Sequence, residues 1–287
     1  MPVTTRSNLI VPEVLADAVA AAWPGKIALY GTEAVVESNT LPGGLRGTDT
    51  IKVPYFNVFG ELSDITEGSS LTPQAISMVA ETAQVQHSGA LNEITAWAQI
   101  AAMYADPYTE ITNQLIEAAR RRFDKALIDS ANATTPSSGQ ITVNRNTATI
   151  SYDALVDAVM AFGDEISNAS VVVFHSKVFS DVLKLKDTTG NPLVNWQNNT
   201  ISIGPIALRY ILSDRAPVIT GAPNNYVTLL IKRGALALWY NRVPTVVRDY
   251  DIAKDSELFG VHVYFVAHRY GRLPGSSAPG VVRLITQ

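Results

Sequence analysis

Between residues 107 and 131 the apolar residues recur every three or four positions, which is the spacing of one face of an α-helix. The members of this stripe are Ile111, Leu115, Ala119, Phe123, Ala126 and Leu127. Asp106 is a suitable N-cap, and Pro107 suits the first helical position. The sequence therefore predicts a long amphipathic helix, about 37 Å from end to end at about 1.5 Å per residue.

Residues 46–95 have the pattern of a long β-hairpin. Its outgoing strand runs from Ile51 to Phe59 and contains Pro54, which cannot donate a backbone hydrogen bond, so the strand is predicted at an edge. A tip at residues 60–73, rich in Gly, Ser, Thr, Asp and Glu, precedes a return strand at residues 74–88. Because an isolated two-stranded ribbon is marginally stable in water, this one needs a surface to lie on.

The rest of the chain predicts an α+β fold in which short strands and helices alternate. Residues 1–45 are expected to form an extended arm with one helix at residues 12–23 and no core of its own. Helices are predicted after Ser151 and from Ser176, and a polar loop at residues 187–200 holds one large side chain, Trp196. Strands are predicted at residues 140–150, 170–174, 204–212, 226–239, 244–252 and 259–270.

Composition is that of an ordinary folded chain. Of the 287 residues, 47% are hydrophobic and 17% are charged, which is enough to build a sizeable core. The net charge of -4 does not suggest a basic surface for nucleic acid. The chain has no cysteine, which excludes disulfides and cysteine-ligated metals. No apolar run reaches the length that spans a bilayer, so no membrane partner is expected.

The sequence lacks the motifs of common catalytic sites. We find no nucleophile elbow, no phosphate-binding glycine loop and no zinc-binding helix motif. Of the four histidines, His87, His175, His262 and His268, the last two share one face of a predicted strand. They are six residues apart, about 20 Å at about 3.3 Å per residue, which is too far to share one metal ion. We predict surface or interfacial histidines, no catalytic residue, no cofactor and no metal site.

Two charged groups stand out in the pattern. Glu61, Asp64 and Glu67 lie in the hairpin tip, and no Lys or Arg occurs between Phe56 and Ala90. These carboxylates could bind a cation, but a solvated tip or a contact with a partner is favoured. The second group is Arg120, Arg121 and Arg122. Successive helical residues point in different directions, so these arginines make a poor phosphate clamp.

The order of the elements resembles the major capsid proteins of tailed bacteriophages, which have the Hong Kong-97-type capsid fold. The order is an N-terminal arm, a long hairpin, a long helix beginning at Asp106-Pro107, an αβ portion and late strands. Three stretches carry the resemblance, namely residues 48–93, 106–130 and 232–273. It covers nearly the whole chain, and its specificity lies in the order and lengths of the elements rather than in any single motif.

The resemblance implies a division into four parts. Residues 1–45 are the N-terminal arm, and residues 46–95 are the extended loop that lies across a neighbouring subunit. Residues 96–149 and 241–287 form the peripheral domain, which contains the long helix as its spine. Residues 150–240 form the axial domain, with Trp196 near the capsomer axis. The assembly contacts expected from this arrangement are Glu61, Asp64, Glu67, Arg120, Arg121, Arg122 and Trp196.

The same resemblance implies a function. The chain would self-assemble into hexamers and pentamers of an icosahedral head that encloses double-stranded DNA without sequence specificity. It would be assembled in the host cytoplasm and reside in the virion. Scaffolding, portal and decoration proteins are further candidate partners. Some relatives cross-link through a lysine of the extended loop, but no lysine occurs between Tyr55 and Thr95 here, so no cross-linking is expected.

Two alternatives remain open. An encapsulin, a bacterial cargo compartment, has the same fold, although an extended arm without a cargo-docking helix favours a phage protein. The second alternative is an α/β enzyme such as a hydrolase. The absent nucleophile and phosphate motifs count against it, and so does the long hairpin.

Overall fold

The computed structural model describes residues 29–38, 50–56, 64, 76, 78–101, 107–134, 139–186, 190–197, 199–203, 206–241, 243–271 and 279–287. The predicted helix at residues 12–23 and the hairpin tip other than Asp64 lie outside these residues. The helices are α1 (Ala96–Ala101), α2 (Pro107–Asn132), α3 (Tyr152–Met160) and α4 (Ser176–Leu183), with a 3-10 helix at Gly163–Asn168. The strands are β1 (Val35–Ser38), β2 (Thr50–Phe56), β3 (Met78–Gln84), β4 (Gln86–Thr95), β5 (Gln140–Asn144), β6 (Ala169–Phe174), β7 (Asn195–Gln197), β8 (Thr200–Ile203), β9 (Ile206–Leu212), β10 (Val218–Ile219), β11 (Asn225–Lys232), β12 (Leu236–Tyr240), β13 (Val246–Asp251), β14 (Ser256–Arg269) and β15 (Val281–Thr286).

The long helix is confirmed as α2, Pro107–Asn132. Its predicted stripe is buried from Leu115 onward, with Phe123 and Leu127 completely inaccessible to solvent, and Ile111 is partly buried. It packs on a five-stranded sheet whose centre is β14. One edge of β14 pairs with β4 along ten residues, and the other pairs first with β13 and then with β12. β1 continues the sheet as a parallel partner of β12.

A second sheet of eight strands has the order β5-β15-β11-β6-β9-β8-β7, and β10 pairs with the end of β11. Its central strands, β6, β11 and β15, are buried on both faces. In β6, Val171 and Val173 face the core that contains α2, whereas Val172 and Phe174 face the core that contains α3 and α4. The predicted cap of α3 is confirmed, since the backbone N–H of Ala154 donates to Ser151 Oγ at 3.2 Å.

The hairpin of β2 and β3 lies on the outer face of the five-stranded sheet. A small apolar cluster joins the two, and its buried members are Val53, Ala83, Ala237, Trp239 and Val266. Pro54 pairs opposite Ala80 in a sheet of only two strands, as its missing N–H donor requires. The base of the ribbon is therefore supported by its own subunit.

The return strand of the hairpin differs from the prediction. A single strand was expected at residues 74–88, but the chain forms β3 and then β4, and β4 belongs to the five-stranded sheet. Only Val85 separates the two strands, and no Gly, Pro or Asn marks a break there. The pattern does not indicate that the chain leaves one partner strand for another at Val85.

Strand boundaries also differ in the second half of the chain. The strand predicted at residues 226–239 is two strands, β11 and β12, separated by a turn in which Gly234 has a φ of 69°. This turn carries the chain from the eight-stranded sheet to the five-stranded sheet. The loop predicted at residues 187–200 contains β7, which forms a hairpin with β8. The strand β15 was missed, and all six of its residues are buried.

The first described segment, residues 29–38, packs into the core that contains α2. Leu29 and Ala34 are fully buried, and β1 is part of the five-stranded sheet. The predicted domain boundaries also do not follow the sheets. β5 and β15 lie in the eight-stranded sheet with most of residues 150–240, whereas β12 lies in the five-stranded sheet. Within the described residues, no helix combines the length and apolarity needed to cross a membrane.

Candidate assembly surfaces

A polar contact ties the base of the hairpin to the end of β14. Glu81 Oε2 of β3 lies 3.0 Å from His268 Nε2 and accepts a hydrogen bond from the backbone N–H of Gly271, also at 3.0 Å. Burial lowers the pKa of His268, and the neighbouring carboxylate of Glu81 opposes this shift. Trp239 stacks beside the same imidazole, with 6.1 Å between ring centroids. His268 is therefore a buried anchor rather than the surface or interfacial histidine that was predicted.

An open cavity of about 620 Å³ lies between β3, the spine helix α2 and the end of β14. Its charged lining consists of Glu81, Arg122, Asp129, His268 and Arg269. Burial is also the main cause of the lowered pKa of Arg269. The charges of both signs in the lining fit a polar space beneath the hairpin and do not indicate an enzyme pocket.

The three arginines of α2 have three different surroundings, as predicted. Arg122 donates from Nε to Ser88 Oγ at 3.2 Å and from Nη2 to Gln86 Oε1 at 3.0 Å. Arg120 is exposed, and Arg121 is half-buried. The structure does not bring the three guanidinium groups together, and Arg122 is already bound to β4 of its own subunit.

The other predicted contacts are only partly described. Asp64 is exposed, while Glu61 and Glu67 lie outside the described residues. The backbone of Trp196 lies in β7, opposite Ile201 of β8. Their roles as assembly contacts stay predictions.

Asp124 and Lys232 are among the buried charged residues that the sequence did not reveal. Asp124 is fully buried on α2, and its Oδ1 accepts hydrogen bonds from the backbone N–H groups of Leu29, at 2.7 Å, and Tyr30, at 3.3 Å. Lys232 is also fully buried; its Nζ lies 2.9 Å from Glu165 Oε2 and 5.4 Å from the centre of the Phe162 ring. The position of Asp124 directly after Phe123 was the available signal, because it borders the apolar stripe. For Lys232, the only available sequence signal was its position at the end of an apolar run.

Several large apolar side chains are exposed at recognisable places. Phe56 and Met78 are cross-strand partners at the far described end of the hairpin, and they are 63% and 61% exposed. On the outer face of the sheet, Val247 and Leu91 flank Gly260 in one cross-strand row. At the end of the sheet where α1 begins, Trp97, Ile100 and Ile252 are exposed. Exposed apolar groups that cluster in this way mark interaction surfaces.

No group of three or more His, Asp or Glu side chains in the described parts of the chain has a geometry that could hold a metal ion. The described charged residues instead form individual ion pairs, such as Arg145 with Asp157 at 2.6 Å and Arg248 with Glu257 at 2.5 Å.

Solved structures show the same fold over nearly the whole chain. One is described as the capsid of an empty GTA particle, with 16% identity, a TM-score of 0.67, and coverage of 98% of this chain and 96% of that chain. Another is from Microbacterium phage Oxtober96, with 15% identity, a TM-score of 0.66 and coverage of 99% of both chains. A third is from Mycobacterium phage Che8, with 14% identity, a TM-score of 0.65, and coverage of 96% of this chain and 97% of that chain.

These likenesses confirm the Hong Kong-97-type capsid fold that the order of elements predicted. No curated protein matches the sequence. The family model described as phage capsid protein matches residues 79–283, from the second strand of the hairpin to the last strand. The matched stretch contains α2 and the described strands from β4 to β14. Of the described strands in the two larger sheets, β1 lies outside it and β15 only begins within it. By this match over most of its length, the chain belongs to the phage capsid protein family.

Proposed function

We propose that this structural capsid protein assembles into hexamers and pentamers, which close into an icosahedral phage head around double-stranded DNA. The observation that carries the proposal is the far end of the β2–β3 hairpin. Its base packs on its own subunit through Trp239 and Val266, whereas Phe56 and Met78 at its described end remain exposed. In an assembled shell, a neighbouring subunit would cover this apolar end.

The two sheets support a division of roles. In our proposal the five-stranded sheet and α2 form the peripheral domain, and the larger part of the eight-stranded sheet forms the axial domain. The β7–β8 hairpin, which carries Trp196, then lies near the capsomer axis. The extended loop is the β2–β3 hairpin with its tip, and β4 anchors it to the peripheral sheet. Most of the predicted N-terminal arm, residues 1–45, lies outside the described residues.

The chain acts as a building unit, and we propose no catalytic role for it. Assembly in the host cytoplasm, with a scaffolding protein that guides closure, follows from the proposal. Portal and decoration proteins are the other proteins with which such a shell would interact.

Negative-stain electron microscopy of the purified protein tests the proposal. We expect closed, roughly icosahedral particles built from fivefold and sixfold capsomers, either alone or after co-expression with a scaffolding protein. A protein that stays monomeric at high concentration under both conditions would contradict it. Particles that hold protein cargo instead of DNA would identify an encapsulin.

Enclosure of DNA without base readout gives a separate test. Binding to short duplexes of unrelated sequence is measured by fluorescence anisotropy with free subunits. Because sequence-specific binding needs Lys or Arg to position phosphates, a chain with a net charge of -4 should show weak binding that is equal for all sequences. Tight binding to one sequence only would overturn this part of the proposal.

A further inference from the structure

Two histidines from neighbouring strands meet on the outer face of the five-stranded sheet. His87 Nε2 of β4 lies 3.3 Å from His262 Nδ1 of β14, and the two ring centroids are 5.5 Å apart. Both residues are exposed. The sequence predicted surface or interfacial histidines but did not place these two together, because they are 175 positions apart in the chain.

The strand register creates this contact. His262 pairs opposite Gly89, and His87 pairs opposite Tyr264, so the two histidines are diagonal neighbours on antiparallel strands. A Cβ atom on residue 89 would lie 2.7 Å from His262 Nδ1. The absent side chain of Gly89 therefore leaves the space in which the His262 ring reaches toward His87.

A third ring fixes one of the two imidazoles. Tyr264 stacks on His87 with a centroid distance of 4.3 Å and an angle of 6° between the ring planes. Among the described residues, neither His87 nor His262 forms an ion pair with a carboxylate, unlike His268 and His175. The His87 ring is thus positioned by stacking on Tyr264, and neither imidazole is paired with an acidic side chain among the described residues.

The spacing of the two nitrogens matches a metal-binding geometry. A tetrahedral zinc ion with Zn–N bonds of about 2.05 Å holds two nitrogen ligands about 3.3 Å apart. A square-planar ion with bonds of about 2.0 Å would hold them about 2.8 Å apart, which fits the observed pair less well. Imidazole is a preferred ligand of zinc, and ligands on two adjacent strands are presented by a rigid scaffold.

We propose that His87 and His262 form a two-histidine Zn²⁺ site that clamps β4 to β14. In the metal-free form the two nitrogens share one hydrogen bond. On binding, the donor imidazole moves its proton to its other ring nitrogen, and both facing nitrogens then coordinate the ion. The remaining two coordination positions are open to water. The site lies outside the hairpin anchor at Glu81 and His268 and does not depend on the proposed assembly.

The test is calorimetric titration of the purified full-length protein with ZnCl2 in a buffer that does not chelate metals. We expect a saturable site of one zinc per subunit, which is lost in His87→Gln and in His262→Gln. Circular dichroism checks that both variants are folded. Thermal denaturation with and without ZnCl2 gives an independent readout, because a ligand bound only by the native state raises the melting temperature of the wild type and not of these variants.

Two further variants separate this site from general histidine binding. His175→Asn removes a histidine elsewhere but keeps a side-chain acceptor at the start of α4, so it should bind zinc as the wild type does. Gly89→Ala moves the His262 ring and should weaken binding at least about tenfold, as changes that misorient a ligand do. No saturable binding by the wild type, or equal affinity in His87→Gln, His262→Gln or Gly89→Ala, would overturn the proposal.

Discussion

At the scale of single residues, buried charges connect segments that are distant in sequence. Asp124 of the spine helix binds the backbone of Leu29 and Tyr30, which lie about ninety positions earlier. Lys232, at the end of β11, binds Glu165 of the 3-10 helix. Both residues interrupt apolar surroundings, so each is tolerated only because it has a partner.

Replacing Asp124 by alanine should lower the free energy of unfolding by about 2–3 kcal/mol, because it leaves two backbone N–H groups without their charged acceptor. Urea denaturation followed by circular dichroism measures the loss. Asp129→Ala is the matched control, since Asp129 is exposed on the same helix, and it should change stability by less than about 0.5 kcal/mol. Equal effects of the two substitutions would show that Asp124 does not hold the first segment.

The Lys232–Glu165 pair predicts an asymmetry between its two members. Glu165→Ala leaves the fully buried ammonium of Lys232 unpaired and should cost about 3 kcal/mol of stability. Lys232→Met keeps an apolar chain of similar length against Phe162, and it leaves a carboxylate that is already a quarter exposed, so it should cost less than about 1.5 kcal/mol. Urea denaturation of both variants tests the order, and a larger loss in Lys232→Met would contradict it.

At the scale of elements, the hairpin and the sheet are joined by one apolar cluster and one polar contact. Trp239 and Val266 of the sheet pack against the hairpin, and Glu81 of the hairpin binds His268 and Gly271. The spine helix reaches the same region through Arg122 and its bonds to β4. The base of the hairpin is therefore rigid, and its far end is presented by a fixed support.

This contact makes stability depend on pH. Because burial lowers the pKa of His268 below its ordinary value of 6.5, the folded chain takes up a proton less readily than the unfolded chain. Stability should therefore be retained above pH 6.5 and should fall as the pH drops below that value toward the pKa of the folded state. His268→Gln removes the titrating group and should make this fall shallower.

The measurement compares urea midpoints at about pH 7.5 and about pH 5.5 for the wild type and His268→Gln. His175→Asn leaves the Glu81–His268 contact in place, so it serves as a control for the loss of a histidine elsewhere in the fold. If His268→Gln and the wild type lose stability equally over this range, protonation of His268 is not the cause.

At the scale of the whole molecule, the exposed apolar surfaces and the charged tip are the candidate contacts with neighbouring subunits. The tip residues Glu61, Asp64 and Glu67 have no Lys or Arg near them in sequence, and α2 offers basic side chains. Since Arg122 is bound to β4, the exposed Arg120 is the better candidate of the three for a contact with the tip of a neighbour.

We expect Glu61→Lys combined with Glu67→Lys to leave the subunit folded and to reduce particle yield. An opposite-charge contact favours the correct register, and although a rim pair contributes only about 0–1 kcal/mol, a shell repeats it at every subunit. The defect should be weaker at high salt, because exposed charges are screened over about 8–10 Å. Circular dichroism reports folding, and gel filtration across a salt series reports particle yield.

The matched control reverses two exposed acidic residues elsewhere, Asp153→Lys with Asp164→Lys, and so changes net charge by the same amount. It should leave particle yield near that of the wild type. Normal particle yield from the tip variant at low salt would contradict the hypothesis that the acidic tip contacts basic residues of a neighbour.

Covalent bonds between subunits are not expected in mature particles. The extended loop has no lysine between Tyr55 and Thr95, and Lys232 is buried in its own subunit. Particles boiled in SDS should run as one band near the 30.9 kDa of the monomer. A ladder of higher bands that persists after boiling would contradict this expectation.

Local patterns determined a large part of this protein. The apolar stripe from Ile111 to Leu127 and Pro107 located the spine helix almost to the residue, because helical spacing and capping are properties of neighbouring positions. Pro54 likewise predicted that β2 lies at an edge, because proline has no backbone N–H to donate, and β2 pairs with β3 alone among the described strands. The order of elements was enough to recognise the capsid fold.

Strand partners were decided only by the tertiary structure. No Gly, Pro or Asn marks a break at Val85, yet β3 pairs with β2 and β4 pairs with β14. The run from residue 226 to residue 239 is divided between two sheets, and the six buried residues of β15 became a strand between β5 and β11. Pairing depends on residues far apart in the chain, and the period of one strand contains no information about its neighbour.

The same reason separates the predicted charges from the observed contacts. Sequence alone identified the acidic tip and the arginine triplet, because each is a group of neighbouring residues. It could not predict the contacts of Asp124 with Leu29, Glu81 with His268 or His87 with His262. The two members of each pair are about ninety or more positions apart in the chain, and packing brings them together. The capsid fold was thus encoded in local sequence patterns. The contacts between distant polar groups were decided by the packing of the two sheets and the spine helix.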